Sequence, residues 1–391
     1  MRILLATAVP PTPECGGGRR TEMLLKCLAQ HATVDVAALG PVWPTAACQR
    51  AGACGGRLID LTTTGVPRKD LRKRLGPVDF RLAGWRSSRN SLLAHHARRP
   101  WDLIVHRYIH AFATLGPLPR AAALVDVDDL PSEVCSSAAP DWTAGPLERP
   151  RALIVARRLA AAERGLLALA DGLWVSTPTH AGHLGRGDSV LLRNALAWPP
   201  ADPQPPTTDR PPTALFIGPL WHPPNRRGLA WLKREVWPRV RQRLPHARLL
   251  IAGTSGDPPR TSEAGIEHLG FVPDSPGPGG LDWLYQSCDV ACAPLFSGSG
   301  TSIKVLEALG RGLPCLATPW AARHLEQSSP ALGVKEPGAW SHELVEMLVR
   351  RQQLGAMARR ASKAVRTGHG ERVFQKSVDR LLDQVSAAAV S

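Results

Sequence analysis

Short apolar runs that break into Gly-, Pro- and Ser-rich loops and then into helix-period segments recur along this chain. They constrain its fold more than any other feature. RILLATA (2–8) runs into the loop PPTPECGGG, and RRTEMLLKCLAQH then sets Met23, Leu24, Cys27 and Leu28 on one helical face. TVDVAAL (33–39), DLIVHRY (102–108) and AALVDVDD (122–129) read as further strands, apolar enough to be covered on both faces as parallel strands are. RALIVARRLAAAERGLLALA predicts a long helix, and DGLWVST the strand after it. Strand–helix alternation of this kind is the pattern of an α/β, doubly wound sheet.

The pattern is interrupted once. From Trp198 to Pro212 the chain reads WPPADPQPPTTDRPP, seven prolines in fifteen residues, which can join neither a helix nor a central strand. Beyond it the alternation restarts: ALFIG (214–218), the helix GLAWLKREVWPRVRQRL, ARLLIAG (247–253), IEHLGFV (266–272), LDWLYQS, DVACAPL, the helix GTSIKVLEALGRG (300–312) and LPCLAT (313–318). Two Rossmann-like domains are therefore expected, 1–198 and 213–370, joined by a Pro-rich linker at 199–212. A closing helix, 371–391, is expected to return toward the first domain.

At 391 residues each domain can bury its own core. No stretch offers eighteen uninterrupted apolar residues, and MRILLATAVPP moves straight into prolines, so it reads as a first buried strand and not as a signal peptide or a span. The eight cysteines form no CxxC pair. Reduced thiols, no metal and a cytoplasmic setting are expected. A formal net charge of +15 calls for an anionic partner. Nucleic acid would need a helix-turn-helix, zinc-finger or RNP-like pattern, and none is present. Much of the excess lies in 68–99, ten Arg or Lys around Trp85 against Asp70 and Asp79. That stretch reads either as a peripheral contact with anionic membrane or as a solvated basic face.

In a doubly wound sheet ligands gather at the carboxyl ends of the strands. Three loops there stand out. Gly16-Gly17-Gly18-Arg19 lets backbone N–H groups approach an anion, although a flexible turn explains it equally well and GxGxxG is not matched. Gly218 through Gly228 is a stiff loop delivering Asn225, a good N-cap residue, with Arg226 and Arg227 to a helix start, where the guanidiniums can fork onto phosphate, although a solvated basic helix start explains it equally well. Ser297-Gly298-Ser299-Gly300-Thr301-Ser302 paves a third helix start, with Lys304 in its first turn and Glu307 three residues on. A diphosphate held by the free N–H groups and Lys304, with Glu307 accepting from a sugar or ribose hydroxyl, fits that spacing. An ordinary surface ion pair between Lys304 and Glu307 is the plainer alternative.

At these residues the chain resembles the retaining GT-B glycosyltransferases of the "group 1" class, glycosyltransferase family four. GTSIKVLEALGRGLPCLAT is similar to that family's donor-binding signature, ARLLIAG … IEHLGFV … LYQSCDVACAPL to the strands leading into it, and RILLATAVPPTPECGGGRR to its N-terminal unit. VDVDDLPSE and LLRNALAWPP are similar to stretches of its exopolysaccharide-type branch. The resemblance implies two Rossmann-like domains facing a cleft and a nucleotide-diphosphate sugar as donor. It implies no cofactor or metal, and an acceptor that is a glycan, a lipid-linked saccharide or a small molecule. Glu307 matches the second glutamate of the family's E-x7-E motif and would bind the donor's ribose; the first falls at Ser299, a departure that leaves the transferred sugar open. Gly300, Thr301 and Ser302 would hold diphosphate, and Lys304 with Arg226 or Arg227 would neutralise it as it leaves. Asn225 belongs to the branch's P-N pattern, Phe271 and Val272 would lie beside the base, and Gly17 and Gly18 would complete the donor side. His106, Arg107, Asp126 and Asp128, at strand ends, are acceptor-side candidates. A GT-B nucleotide-sugar epimerase and a non-catalytic partner subunit are the competing readings, the latter supported by Ser299.

Overall fold

The computed structural model describes residues 1–63, 78–137, 148–198, 210–254, 264–275, 277–325, 329 and 331–388. Most of the Pro-rich segment (199–209) and the most basic part of 68–99 (68–77) lie outside them. The chain divides into two compact units, Met1–Ala195 with Glu371–Ser391, and Leu196–Gly370.

The first unit runs β1 (Arg2–Thr7), α1 (Gly16–Ala29), β2 (Thr33–Ala38), α2 (Thr45–Gly52), β3 (Gly55–Asp60), α3 (Trp85–Arg98), β4 (Leu103–Arg107), α4 (Ile109–Leu115), β5 (Ala122–Val127), α5 (Pro131–Ser137), α6 (Glu148–Leu167), β6 (Gly172–Val175), α7 (Pro178–Leu184) and β7 (Val190–Leu191). Its seven strands are all parallel, in the order β3-β2-β1-β4-β5-β6-β7. Successive side chains of a strand point to opposite faces. In β1 they supply two different cores, Ile3 and Leu5 packing with α1, Leu4 and Ala6 with Trp101 and Leu115. Burial on both faces is why the run is continuously apolar.

The second unit runs β8 (Thr213–Ile217), α8 (Pro223–Trp231), a π turn (Leu232–Val236), α9 (Trp237–Arg243), β9 (Arg248–Ala252), β10 (Ile266–Gly270), α10 (Leu281–Gln286), β11 (Val290–Ala293), α11 (Ile303–Gly310), β12 (Cys315–Ala317), α12 (Pro319–Ala322), β13 (Leu332–Val334), α13 (Trp340–Val349) and α14 (Arg351–Gly368). Its six strands are parallel in the order β10-β9-β8-β11-β12-β13. The single helix expected over GLAWLKREVWPRVRQRL is broken by the π turn. Pro238 has no N–H to donate and its ring crowds the carbonyl four residues back, so the backbone widens there. Leu232, Val236, Trp237 and Val240 stay in the core across the break.

The last helix, α15 (Glu371–Ala388), belongs to the first unit. Phe374, Val378, Leu381 and Leu382 join the core beside α1, and Trp174 Nε1 donates to the Ser377 carbonyl at 3.0 Å. Four such side chains contribute roughly 6–12 kcal/mol of gross burial. Among the described residues no helix is long and apolar enough to cross a membrane, and all eight cysteines are free thiols.

Candidate functional site

In the second unit β8 and β11 are neighbours, and the strand order reverses between them. A reversal of this kind, at the carboxyl ends of the two strands, is the usual place for a ligand in such a sheet. Gly218 follows β8 with φ +146°; a Cβ there would stand 2.8 Å from Asn225 Nδ2 and 3.2 Å from Lys304 Nζ. Only glycine leaves room for that pair. Asn225 is held at both ends of its amide: Nδ2 donates to the Pro219 carbonyl at 2.9 Å, and Oδ1 accepts from Lys304 Nζ at 2.5 Å. Asn225 is not the N-cap that its residue type suggested. His222 caps α8, Pro223 and Pro224 take the first two helical positions, and Asn225 comes third, turned inward. Arg226 and Arg227 follow on the exposed side.

Burial brings the Lys304 ammonium down to about 8, while Cys315 and Glu307 pull weakly the other way. The amine also lies 5.2 Å from the centre of the Phe216 ring. Its hydrogen-bond acceptor is a neutral amide, so its charge is left for a further anion. His222 is lowered as well, by burial and by the Lys304 charge. His222 thus stands near enough to feel the lysine, although its residue type and position gave no sign of it.

The loop from Ser297 to Ser302 turns through Gly298 and Gly300, at φ +135° and +68°. Ser302 caps α11 through its backbone only, and its buried hydroxyl has no hydrogen-bond partner among the described residues. A buried hydroxyl left unmade costs energy unless a ligand satisfies it. Arg323, unflagged by any motif, braces this loop by donating to the Gly298 carbonyl at 3.1 Å. Ser299 and Thr301 are half-buried beside it.

Glu307 is buried and accepts from Tyr285 Oη at 3.2 Å. It shares its surroundings with Arg311, whose Nε donates to Asp282 at 2.6 Å and whose charge is favoured by Glu307. Lys304 therefore stands as a half-buried amine bonded to Asn225, not as half of a surface ion pair. Phe271, beyond β10, is exposed, while Val272 packs on the core.

In the first unit the strand-end candidates are drawn inward. Asp126 accepts from Arg20 at 2.6 and 3.0 Å and lies 3.2 Å from Arg107; Arg107 also donates to Asp128 at 2.9 Å. Two guanidiniums thus neutralise two carboxylates inside the protein, and Asp128 is held at about 2 by its arginines against the cost of burial. Asp129, the next residue, is pushed up to about 7 by burial and by Asp128. His106 is sealed edge-on against Phe112, and burial pushes its imidazole down to about 3, so it is neutral. Arg107, Asp126 and Asp128, expected on the acceptor side, lie in a buried ion network, and His106 packs in the core beside them. Tyr108 takes a left-handed φ of +69° and donates to Asp128 at 3.2 Å. Gly17 faces that phenol, and Gly18 lies against its own loop, where a Cβ would meet the Thr12 carbonyl at 2.6 Å.

Residues 211–350 match the family model described as glycosyl transferases group 1. A phosphatidyl-myo-inositol mannosyltransferase of Mycobacterium leprae (strain TN) is 30% identical over 139 residues, 35% of this chain and 36% of that protein. The chain thus aligns with about a third of the length of this curated relative. Among solved structures, a sucrose-phosphate synthase of Thermosynechococcus elongatus superposes over 99% of both chains with TM-score 0.66 at 16% identity. HepE of Anabaena, in complex with UDP and glucose, covers 98% of this chain and 100% of its own with TM-score 0.63 at 12% identity. WaaG, a glycosyltransferase involved in lipopolysaccharide biosynthesis, covers 95% and 98% with TM-score 0.60 at 16% identity. The chain has the two-domain α/β fold of the GT-B glycosyltransferases, and within it residues 211–350 are similar to the glycosyl transferases group 1 model.

Proposed function

We propose that this protein transfers a glycosyl group from a nucleoside-diphosphate sugar to an acceptor hydroxyl, with retention, as a family-four enzyme of the exopolysaccharide-type branch. The observation that carries the reading is the Gly218–Asn225–Lys304 cluster beside the uncapped start of α11. It combines a positioned cation, an unpartnered buried hydroxyl and free helix N–H groups at a switch point. The acceptor oxygen bonds to the anomeric carbon as the bond from that carbon to the diphosphate oxygen breaks. The electron pair leaves with the diphosphate, which takes up the acceptor proton. Lys304, with Arg226 or Arg227 closing from α8, stabilises that developing charge without a resident cofactor or metal. Gly300, Thr301 and Ser302 hold the diphosphate, Glu307 the ribose, and Phe271 flanks the base. Ser299 stands where a glutamate would touch the transferred sugar. The acceptor is a saccharide or a lipid-linked saccharide, a class in keeping with the relative named as a phosphatidyl-myo-inositol mannosyltransferase.

Calorimetry against UDP-, GDP-, ADP- and TDP-sugars tests this. One donor should bind, and Lys304→Ala and Glu307→Ala should each weaken it at least tenfold. Undiminished affinity in both variants removes the site. Release of the nucleoside diphosphate in the presence of acceptor separates transfer from binding alone.

A further inference from the structure

In the second unit α10 and the end of α11 each present two side chains, and the four interlock. Asp282 and Tyr285 stand one turn apart on α10 and share a face of it. Glu307 on α11 and Arg311 directly after it are likewise one turn apart. Arg311 Nε donates to Asp282 at 2.6 Å, and its guanidinium lies 5.1 Å from the centre of the Tyr285 ring. Tyr285 Oη in turn donates to Glu307 Oε2 at 3.2 Å. Tyr285, Glu307 and Arg311 are all buried. Burial works against the Arg311 charge, but Glu307, Tyr285 and Asp282 together more than offset it. Arg311 Nη2 also comes within 3.9 Å of Asp274, on the segment that continues from Phe271 and Val272.

We propose that Tyr285, braced by Arg311, is the positioning residue that makes Glu307 read a full ribose, and so restricts the donor to a ribonucleoside-diphosphate sugar. The inference rests on the transferase reading, in which Glu307 accepts from the donor's ribose. A glutamate side chain is long and turns freely, and a site keeps its selectivity only where such a rotamer is locked by packing and hydrogen bonds. The phenol holds one carboxylate oxygen without using up a group that accepts about four hydrogen bonds. A site built to bind a hydroxyl rejects the analogue lacking it, because a buried acceptor then loses its partner. A carboxylate free to turn would find another partner and reject that analogue only weakly. A strut between α10 and α11 would be complete with Arg311 and Asp282. The phenol on Glu307 is what that structural role leaves unused.

Calorimetry on the full chain with UDP, GDP and ADP, each beside its deoxyribose counterpart, reads the selectivity. The parent should bind its preferred ribonucleotide about thirtyfold more tightly than the deoxy form, the worth of a hydrogen bond to a charged group. Tyr285→Phe keeps the ring; it should weaken the ribonucleotide about tenfold, leave the deoxy form nearly as before, and bring the ratio to about three. Arg311→Met should lower the ratio in the same direction. Lys304→Ala, on the phosphate side, should weaken both forms alike and keep the ratio. A merely structural role for Tyr285 would weaken both forms equally. A parental ratio in Tyr285→Phe, or a ratio that Lys304→Ala lowers as far, therefore overturns the inference and leaves the donor site standing. A parent that binds ribose and deoxyribose forms alike overturns it too. Should Arg311→Met fail to fold, Tyr285→Phe decides. If the parent binds none of the nucleotides, the donor site fails and this inference with it.

Discussion

Lys304 offers the sharpest test of the site, because its proton is coupled to its ligand. In the free protein the ammonium titrates at about 8, against 10.5 in the unfolded chain. A diphosphate beside it supplies the negative charge that burial took away and returns the value toward 10 or above. A donor diphosphate diester has no proton of its own to lose near neutrality. Affinity should therefore be flat below pH 8 and fall above it, as the bound form must recruit a proton that the free form has shed. At pH 9 about one lysine in eleven is still protonated, so affinity should be about tenfold weaker than at pH 7. The limit is about 3 kcal/mol, the full difference between the two values at 1.36 kcal/mol per unit.

Calorimetry in two buffers of different protonation enthalpy reads the linkage directly. Proton uptake should rise from about 0.1 per site at pH 7 to about 0.5 at pH 8 and about 0.9 at pH 9. Lys304→Met should bind weakly, with no pH dependence over this range. The same shift acts on stability. Between pH 8 and 10.5 the unfolded chain binds the extra proton, so the penalty of burying the ammonium is full below pH 8 and is relieved as pH rises through that window. Lys304→Met should then be more stable than the parent at pH 7 by about 1–3 kcal/mol. Constant affinity and no proton uptake in the parent, or full affinity in Lys304→Met, would refute the reasoning.

Gly218→Ala should weaken donor binding more than tenfold and lower the melting temperature, since its Cβ would meet the Asn225 amide at 2.8 Å in a backbone conformation alanine resists; calorimetry and thermal melts report the two effects. Arg107→Met should cost about 3–5 kcal/mol by leaving buried carboxylates short of a partner, and adding Asp128→Asn should restore part of it in denaturant titrations. Asp129 carries the opposite sign: its folded value of about 7 lies above the unfolded 3.8, so the folded protein holds more protons between them and loses stability as pH rises through that range. Asp129→Asn should therefore raise the melting temperature at pH 8 and change it little at pH 4.

The strands were legible because burial on both faces writes itself into the chain as an unbroken apolar run, as in Ile3–Ala6 and Leu249–Ala252. The edge strands β3 and β13 were not. Gly55–Asp60 alternates exposed and covered positions, and Leu332–Val334 is only three residues long. Asn225 and Lys304 stand out separately on two loops, but their hydrogen bond depends on β8 lying next to β11, which alternation alone does not give. The start of α8 was legible in principle, since Pro223-Pro224 is a first-turn signature that puts the cap at His222. The role of Asp126 was not. Its partner Arg20 is 106 positions away, in the first turns of α1, and no local pattern distinguishes a carboxylate awaiting a ligand from one already answered by a distant guanidinium.

That distinction separates the two sheets. Both repeat one strand order and reverse it at the same point, β1 against β4 and β8 against β11, so topology alone offers two equivalent crevices. Side chains make them unequal. Behind β4 and β5, Arg20 and Arg107 face Asp126 and Asp128, cations match carboxylates, and a further anion would have to displace a buried ion pair. Beside β8, Lys304 faces an amide, Ser302 presents a buried hydroxyl with no partner among the described residues, and Gly218 lets Asn225 and Lys304 close up against its backbone. On the proposed function, a diphosphate entering there would add partners to Lys304 and Ser302 without displacing an ion pair. On the proposed function the asymmetry has an energetic side: the first unit matches its buried charges internally, whereas in the second a bound diphosphate would offset the desolvation of the Lys304 amine.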